Sequence, residues 1–280
     1  MIDTDDGHLA DDGHLADLIA EYEAKGWCRS PYRFTAPSVD LLRDSLEAVI
    51  DRGGPEVVHE RDSTAVRAVH GCHEFDEAYA ALVRHPYLLA LAEALTGTPV
   101  YVYQFKVNLK QAREGQAWPW HQDFAFWNAE DGLPRPAAVT LAVPLDDVHE
   151  NNGPLILVPG SHRLGYLGPG KITPGGKGDW RKNFEADPEH TMEPDRAREL
   201  ITSFGSERAT GRAGAIQAFH PNIVHSSSDN ASADRRALLM VSYNSVDNAP
   251  PRPTRPEFLV GRKTDQLKPK WDDRLTLETG

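Results

Sequence analysis

From Pro99 onward the chain is written in short runs of β-branched and aromatic residues: PVYVYQFKVNLK, AAVTLAVPL, GPLILVP, GAIQAFH and RRALLMVSYN. Side chains of this kind suit a pleated, half-buried surface better than a helix. Gly, Pro and Asn turns separate the runs, and many short strands with such punctuation predict a fold built of two packed sheets. One stretch, residues 163–205, breaks the pattern: it is polar and contains GPGKITPGGKGDW. An insertion that long inside a β-domain is expected to be a lid or substrate loop.

Ahead of residue 99 the texture is helical. LADLIAEYEAKG carries Leu15, Leu18, Ile19 and Tyr22 at helical spacing, with Gly26 as a stop. VDLLRDSLEAVIDR predicts a second amphipathic helix ending at Gly53-Gly54, and residues 75–95 a third, broken at Pro86. DDGHLA occurs in tandem at 5–10 and 11–16. With only two short copies this is no solenoid, and His8 and His14 are read as part of a solvated terminus. The expectation is one domain over 1–280: a mainly helical part over 1–98, and a β-core over 99–260 that carries the insertion.

A formal net charge of −12 argues against nucleic acid or an anionic membrane as partner, because both need clustered Lys and Arg. No apolar run is long enough to span a bilayer. The acidic N-terminus lacks the layout of a secretory signal, so the chain is expected to be cytoplasmic. Its two cysteines, Cys28 and Cys72, suggest neither a disulfide framework nor a zinc site.

Chemistry enters at WPWHQDFAFWNAEDG, where His121 and Asp123 stand two apart. On a strand such residues project from the same face and can grip one ion, although H-x-D alone is a weak signal. Two further candidates, His220 and His225, lie in AFHPNIVHSSSDN, the latter 102 positions beyond Asp123. Two histidines and one carboxylate form the facial triad of non-haem Fe(II) oxygenases, which leaves coordination positions open. Zinc hydrolases also use such a set, so the ligands alone leave both chemistries open. A keto-acid co-substrate would need an arginine fork for its far carboxylate. Arg235 and Arg236 open the RRALLMVSYN strand just after the histidine block.

Taken together, YQFKVNLK, WPWHQDFAFWNAEDGLPRP, NNGPLILVPGSH, FHPNIVHSSSDN, SYNSVDNAP and RPEFLVGR resemble the phytanoyl-CoA dioxygenase superfamily of Fe(II)/2-oxoglutarate enzymes. The likeness covers residues 101–165 and 218–260. It is closest to the ectoine-hydroxylase-like branch, which includes leucine side-chain hydroxylases of peptide-antibiotic pathways. The resemblance implies a mainly β fold, a double-stranded β-helix (jelly-roll, cupin-like) with packed N-terminal α-helices. It implies Fe(II), 2-oxoglutarate and O₂ as cofactor and co-substrates, with iron held by His121, Asp123 and His225 rather than His220. By the same resemblance Arg236, with Arg235 as fallback, binds 2-oxoglutarate beside Asn108, Ser227 and Lys106. Gln104, Trp118, Trp127, Phe219 and Met240 fall on substrate-contact positions. Trp120, by strand alternation, is expected in the core.

Met240 stands where the ectoine enzymes carry phenylalanine, and their N-terminal signature is missing. The implied substrate is therefore a free small amino acid with a leucine-like aliphatic side chain, in specialised metabolism, rather than ectoine itself. Asp123 is intact, which disfavours a halogenase. His162 and the remaining histidines, His70 among them, are read as surface or satisfied core residues.

Overall fold

In the computed structural model, which describes residues 12–60, 63–168 and 191–280, the longest strands set the architecture. They are β4 (Val100–Lys110), β6 (Ala138–Pro144) and β11 (Arg236–Ser245). The first DDGHLA copy and most of the expected lid lie outside the described residues. β11 pairs antiparallel with both others, matching Leu238 to Asn108, Met240 to Lys106 and Ser242 to Gln104. All ten of its residues are buried, so it lies in the middle of its sheet and reads as one apolar run. Alternation divides its side chains between two faces. Ala237, Leu239, Val241 and Tyr243 enter the main core, whereas Arg236, Leu238 and Met240 line a cavity on the other side. β4 repeats the division, with Phe105, Val107 and Leu109 in the core and Gln104, Lys106 and Asn108 on the cavity.

Three helices cover the core face. They are α1 (Asp12–Lys25), α2 (Ala36–Arg52) and α4 (Pro86–Thr96), with the short α3 (Glu77–Leu82) between the last two. Leu42 and Leu46 of α2 and Leu88 and Leu91 of α4 are essentially fully buried there. Burial of one such side chain is worth roughly 1.5–3 kcal/mol relative to exposure. The helix expected over 75–95 is two helices. Pro86 is the first residue of α4, where its missing N–H costs nothing, and the His85 ring caps the turn by accepting from the Tyr87 N–H. Asp76 caps α3 in the same way, accepting from the Tyr79 N–H at 2.9 Å.

The remaining strands are β1 (Trp27–Phe34), β2 (Val57–His59), β3 (Val66–His70), β5 (Trp118–His121), β7 (Leu155–Leu157), β8 (Glu207–Ala209), β9 (Ala215–Phe219), β10 (His225–Ser227) and β12 (Leu277–Thr279). They complete an eight-stranded sheet, β12-β1-β9-β6-β11-β4-β3-β2, and a four-stranded sheet, β5-β10-β7-β8. The large sheet therefore takes β1, β2 and β3 from the part read as mainly helical, and β12 from beyond residue 260. Helices on one face and a second sheet across the other give the cupin-like jelly-roll architecture, and the cavity lies between the sheets.

Both cysteines are buried and free, and burial pushes each thiol up to about 12, so neither is a ready nucleophile. Among the described residues no helix is long and apolar enough to cross a membrane.

Where β9 begins, Gly214 donates to the Pro144 carbonyl and accepts from the Phe34 N–H, each at 2.8 Å. Its φ is +85°, and a Cβ there would lie 2.4 Å from the Phe34 carbonyl oxygen. Backbone, not a flexible side chain, blocks that space. Gly214→Ala is therefore expected to lower the unfolding free energy by about 1–3 kcal/mol in urea titration.

Candidate active site

Two short strands bring the chain's separated motifs together. β5 and β10 pair antiparallel with His121 opposite His225, and the two rings lie 4.2 Å apart at their centroids. Asp123 follows within 3.7 Å of the His121 Nε2. Ligand atoms of these three residues all lie within 4.8 Å of one another. Strand alternation does not place Asp123, however. His121 ends β5, and Asp123 is the first residue of helix α5 (Asp123–Asp131). The corner between them is pinned by buried Gln122, whose amide donates to the Asn222 and Gly165 carbonyls and accepts from the Leu167 N–H.

Each imidazole is oriented from behind. The Nδ1–H of His121 donates to the Pro119 carbonyl at 2.7 Å, and that of His225 to the Ile223 carbonyl at 3.1 Å. A carbonyl can only accept, so both rings carry their proton on Nδ1 and present Nε2 lone pairs, as metal-binding histidines do. Burial pushes His121 down to about 3, with repulsion from His225 adding to it, and burial lowers His225 as well. Burial acts to raise Asp123, but nearby Lys106, His225 and His121 outweigh it and hold the carboxyl below its usual range. Asp123 Oδ2 is buried with no hydrogen-bond partner among the described residues. Two neutral imidazoles and an unsatisfied carboxylate are the donor set a divalent cation requires. The residues fit iron.

Arg236 is the second buried element. It is 2 % exposed, donates to the Gly153 carbonyl at 2.7 Å and to the Asn108 carbonyl at 3.5 Å, and among the described residues leaves Nε without an acceptor. Burial pulls it down to about 10, so it remains a cation at neutral pH. Among the described residues no carboxylate pairs with it. A buried charge without a counter-ion is costly, and an anionic ligand would relieve it. Ser227, whose buried Oγ also lacks a partner among the described residues, Asn108 and Lys106 line the same cavity. Arg235 is turned to the opposite side, where it pairs with Asp146 and Glu47.

Gln104, Trp118, Trp127 and Met240 line the cavity too. Trp127 meets Tyr103 edge-on at 5.0 Å, and Trp118 has the Arg67 guanidinium 4.1 Å from its ring centre. Phe219 is the exception. It packs with Trp27, Ile223 and Leu238, its ring 5.3 Å from that of His225, and is absent from the cavity wall. β9 therefore sets Phe219 against the His225 ring and among these apolar neighbours. Trp120 packs outside the cavity with Val158, Met192, Leu200 and Val224.

His220 is also outside. Its Nδ1 accepts from the Asn222 N–H, and its ring lies against Tyr22 and His162. Of the expected lid, residues 169–190 lie outside the described residues. Thr191 reaches the cavity, and the Met192 N–H donates to the Trp120 carbonyl at 2.7 Å ahead of α6 (Pro194–Phe204).

Sequence reasoning missed His70, Phe126, Arg255 and Leu259 on the cavity wall. RPEFLVGR contains two of them, but its arginine is marked only by tertiary context. Asp131, 124 positions earlier, takes Arg255 in a two-pronged pair at 2.8 and 2.5 Å. Burial acts against that charge, and the Asp131 carboxylate more than offsets it.

This geometry predicts that His225→Ala and Asp123→Ala each weaken Fe(II) or Co(II) binding by at least about tenfold in anaerobic titration, as loss of a direct ligand should. His220→Ala should leave metal affinity near that of the parent.

The chain is similar to several known proteins. The family model described as phytanoyl-CoA dioxygenase (PhyH) matches residues 22–238. An L-proline trans-4-hydroxylase from Streptomyces griseoviridis is 50% identical over 261 residues, covering 92% of this chain and 97% of that one. An ectoine dioxygenase from Stutzerimonas stutzeri is 32% identical over 256 residues, covering 88% and 84%. Among solved structures, EctD from S. alaskensis with bound Fe superposes with a TM-score of 0.78 at 26% identity, covering 93% of this chain and 89% of that one. The same protein with 2-oxoglutarate and 5-hydroxyectoine gives 0.79 at 25% identity, with the same coverage. The fold, the donor set and these relatives agree: the chain belongs to the phytanoyl-CoA dioxygenase family and is a non-haem Fe(II)/2-oxoglutarate-dependent dioxygenase.

Proposed function

We propose that the enzyme hydroxylates an unactivated C–H bond of a free aliphatic amino acid, with L-proline the first substrate to test. The carrying observation is a single cavity lined together by the His-Asp-His set, by Arg236, which has no ion-pair partner among the described residues, and by the apolar side chains of Trp118, Trp127, Leu155, Met240 and Leu259. A leucine-like side chain, expected from the sequence, and the proline ring share one demand: a saturated surface against saturated and aromatic walls. The relative named for proline covers nearly its whole length, which moves proline ahead of leucine. Met240 supports an aliphatic over a cationic ring, since a thioether adapts to irregular hydrocarbon.

Iron and 2-oxoglutarate, when bound, supply the oxidising chemistry: O₂ and the keto acid yield succinate, CO₂ and one oxygen atom for the substrate. His121, Asp123 and His225 hold the metal and contribute one negative charge to it. Arg236 pairs the far carboxylate of 2-oxoglutarate, the Ser227 hydroxyl donates to the same group, and Lys106 and Asn108 flank it. Arg255 uses two nitrogens on Asp131 and also meets the Tyr103 hydroxyl, and the N–H groups left over can serve the amino acid's carboxylate. Gln104 offers its amide oxygen to the substrate nitrogen. The tryptophans and Leu259 exclude water from the target C–H. A hydroxylated free amino acid is a building block, consistent with the specialised metabolism expected from the sequence.

The test is a panel of L-proline, L-leucine and ectoine with Fe(II), 2-oxoglutarate and air, measuring succinate and product mass. Proline-stimulated succinate with a product one oxygen heavier is expected. Stimulation by ectoine alone would assign the cavity to the ectoine-type reading instead. Arg255→Lys keeps a cation beside Asp131 but loses the fork, and should raise KM for the amino acid about tenfold while leaving that for 2-oxoglutarate unchanged.

A further inference from the structure

We propose that Arg67 and Glu60, neither of which lines the cavity, are positioning residues that set the angle of Trp118 and so tune substrate fit. The inference rests on the reading of Trp118 as a substrate wall. Between β2 and β3 the register passes from Val58 opposite Ala68 to His59 opposite Val66. One step on β2 thus meets two on β3, and Arg67 is the extra residue. Bulges of this kind re-aim a side chain. Val66 and Val69 both enter the main core, while Arg67 leaves it and lays its guanidinium 4.1 Å from the Trp118 ring centre.

Glu60 fixes that cation. The side chains are only 4 % and 5 % exposed, and Arg67 Nη1 donates to Glu60 Oε2 at 2.8 Å. The second oxygen, Oε1, accepts from the Gln116 N–H at 3.4 Å, two residues before Trp118. One buried carboxylate therefore holds the indole through both its stacked partner and its own main chain. A buried ion pair is seldom worth more than apolar packing, so stability alone is a poor reason to keep this one. A planar guanidinium on an indole face contributes orientation that an ammonium does not.

Fluorotryptophan-labelled protein provides a readout independent of turnover, with Trp118→Phe assigning one of the six tryptophan signals. Arg67→Met is expected to shift the Trp118 signal, and to raise KM for proline about tenfold with that for 2-oxoglutarate within about twofold. Arg67→Lys, which can keep the pair with Glu60, should melt like the parent yet reproduce most of both effects. An unmoved Trp118 signal in both variants would overturn the inference. So would a rise confined to the 2-oxoglutarate KM, which would mean that Arg67 acts through Arg236. Trp118→Phe separates the two readings. If it leaves every amino acid's KM unchanged, the pocket role of Trp118 has failed and this inference with it. If it raises KM for proline and neither Arg67 variant does, this inference alone has failed.

Discussion

The register that sets His225 opposite His121 is a weak contact on its own, three residues against four, yet it is what brings the two histidines together. Its strength is borrowed. The Val158 N–H donates to the Val224 carbonyl, and the Ser161 hydroxyl accepts from the Val224 N–H while donating to the Val158 carbonyl. β7 flanks β10 on the far side, with Leu157 opposite His225. Gln122 then ties the corner after β5 to the same approach segment at Asn222. A slip of one residue in this pairing would turn His225 to the other face of the sheet and dismantle the donor set.

Charge is distributed by the same framework. The chain is acidic as a whole, at −12, but its cavity collects Lys106, Arg236 and Arg255. Asp123 lies with His121 and His225 as a group able to hold a metal ion, and Asp131 anchors Arg255. Arg236 makes no direct ion pair among the described residues, and Asp146 acts on its charge only from beyond contact. The cavity thus sets cations suited to carboxylates around the Asp123 corner, with Lys106 close enough to hold the Asp123 carboxyl down, and both substrates of the proposed reaction are carboxylates. Low dielectric strengthens these interactions and also makes any unfilled one costly.

Much of this was legible in the sequence where a local pattern is the physical cause. Alternation along RRALLMVSYN and YQFKVNLK sorts core from cavity, and it singles out Arg236 over Arg235 once the strand's faces are known. Proline and glycine punctuate the helices at Pro86 and Gly26 for backbone reasons that need no tertiary context. The misses share another cause. β10 is three residues of HSS, too short and polar to announce a strand, and β5 contains Pro119. Asp123 is placed by the start of a helix, not by strand alternation. Phe219 is set against the His225 ring by the pairing of β9 with β1 and β6. Arg255 and Arg67 gain their roles from Asp131 and Glu60 through tertiary contacts that no spacing rule contains.

On the proposed function, 2-oxoglutarate turnover in this cavity is coupled to oxygen insertion into an amino acid. Turnover of L-proline under heavy-isotope-labelled O₂ gas, followed by mass analysis of both products, tests it most directly. One labelled atom in succinate and one in the hydroxylated amino acid, formed in equal amounts, is the predicted result. Labelled succinate that forms at the same rate with and without any amino acid, with no labelled amino acid, would contradict it.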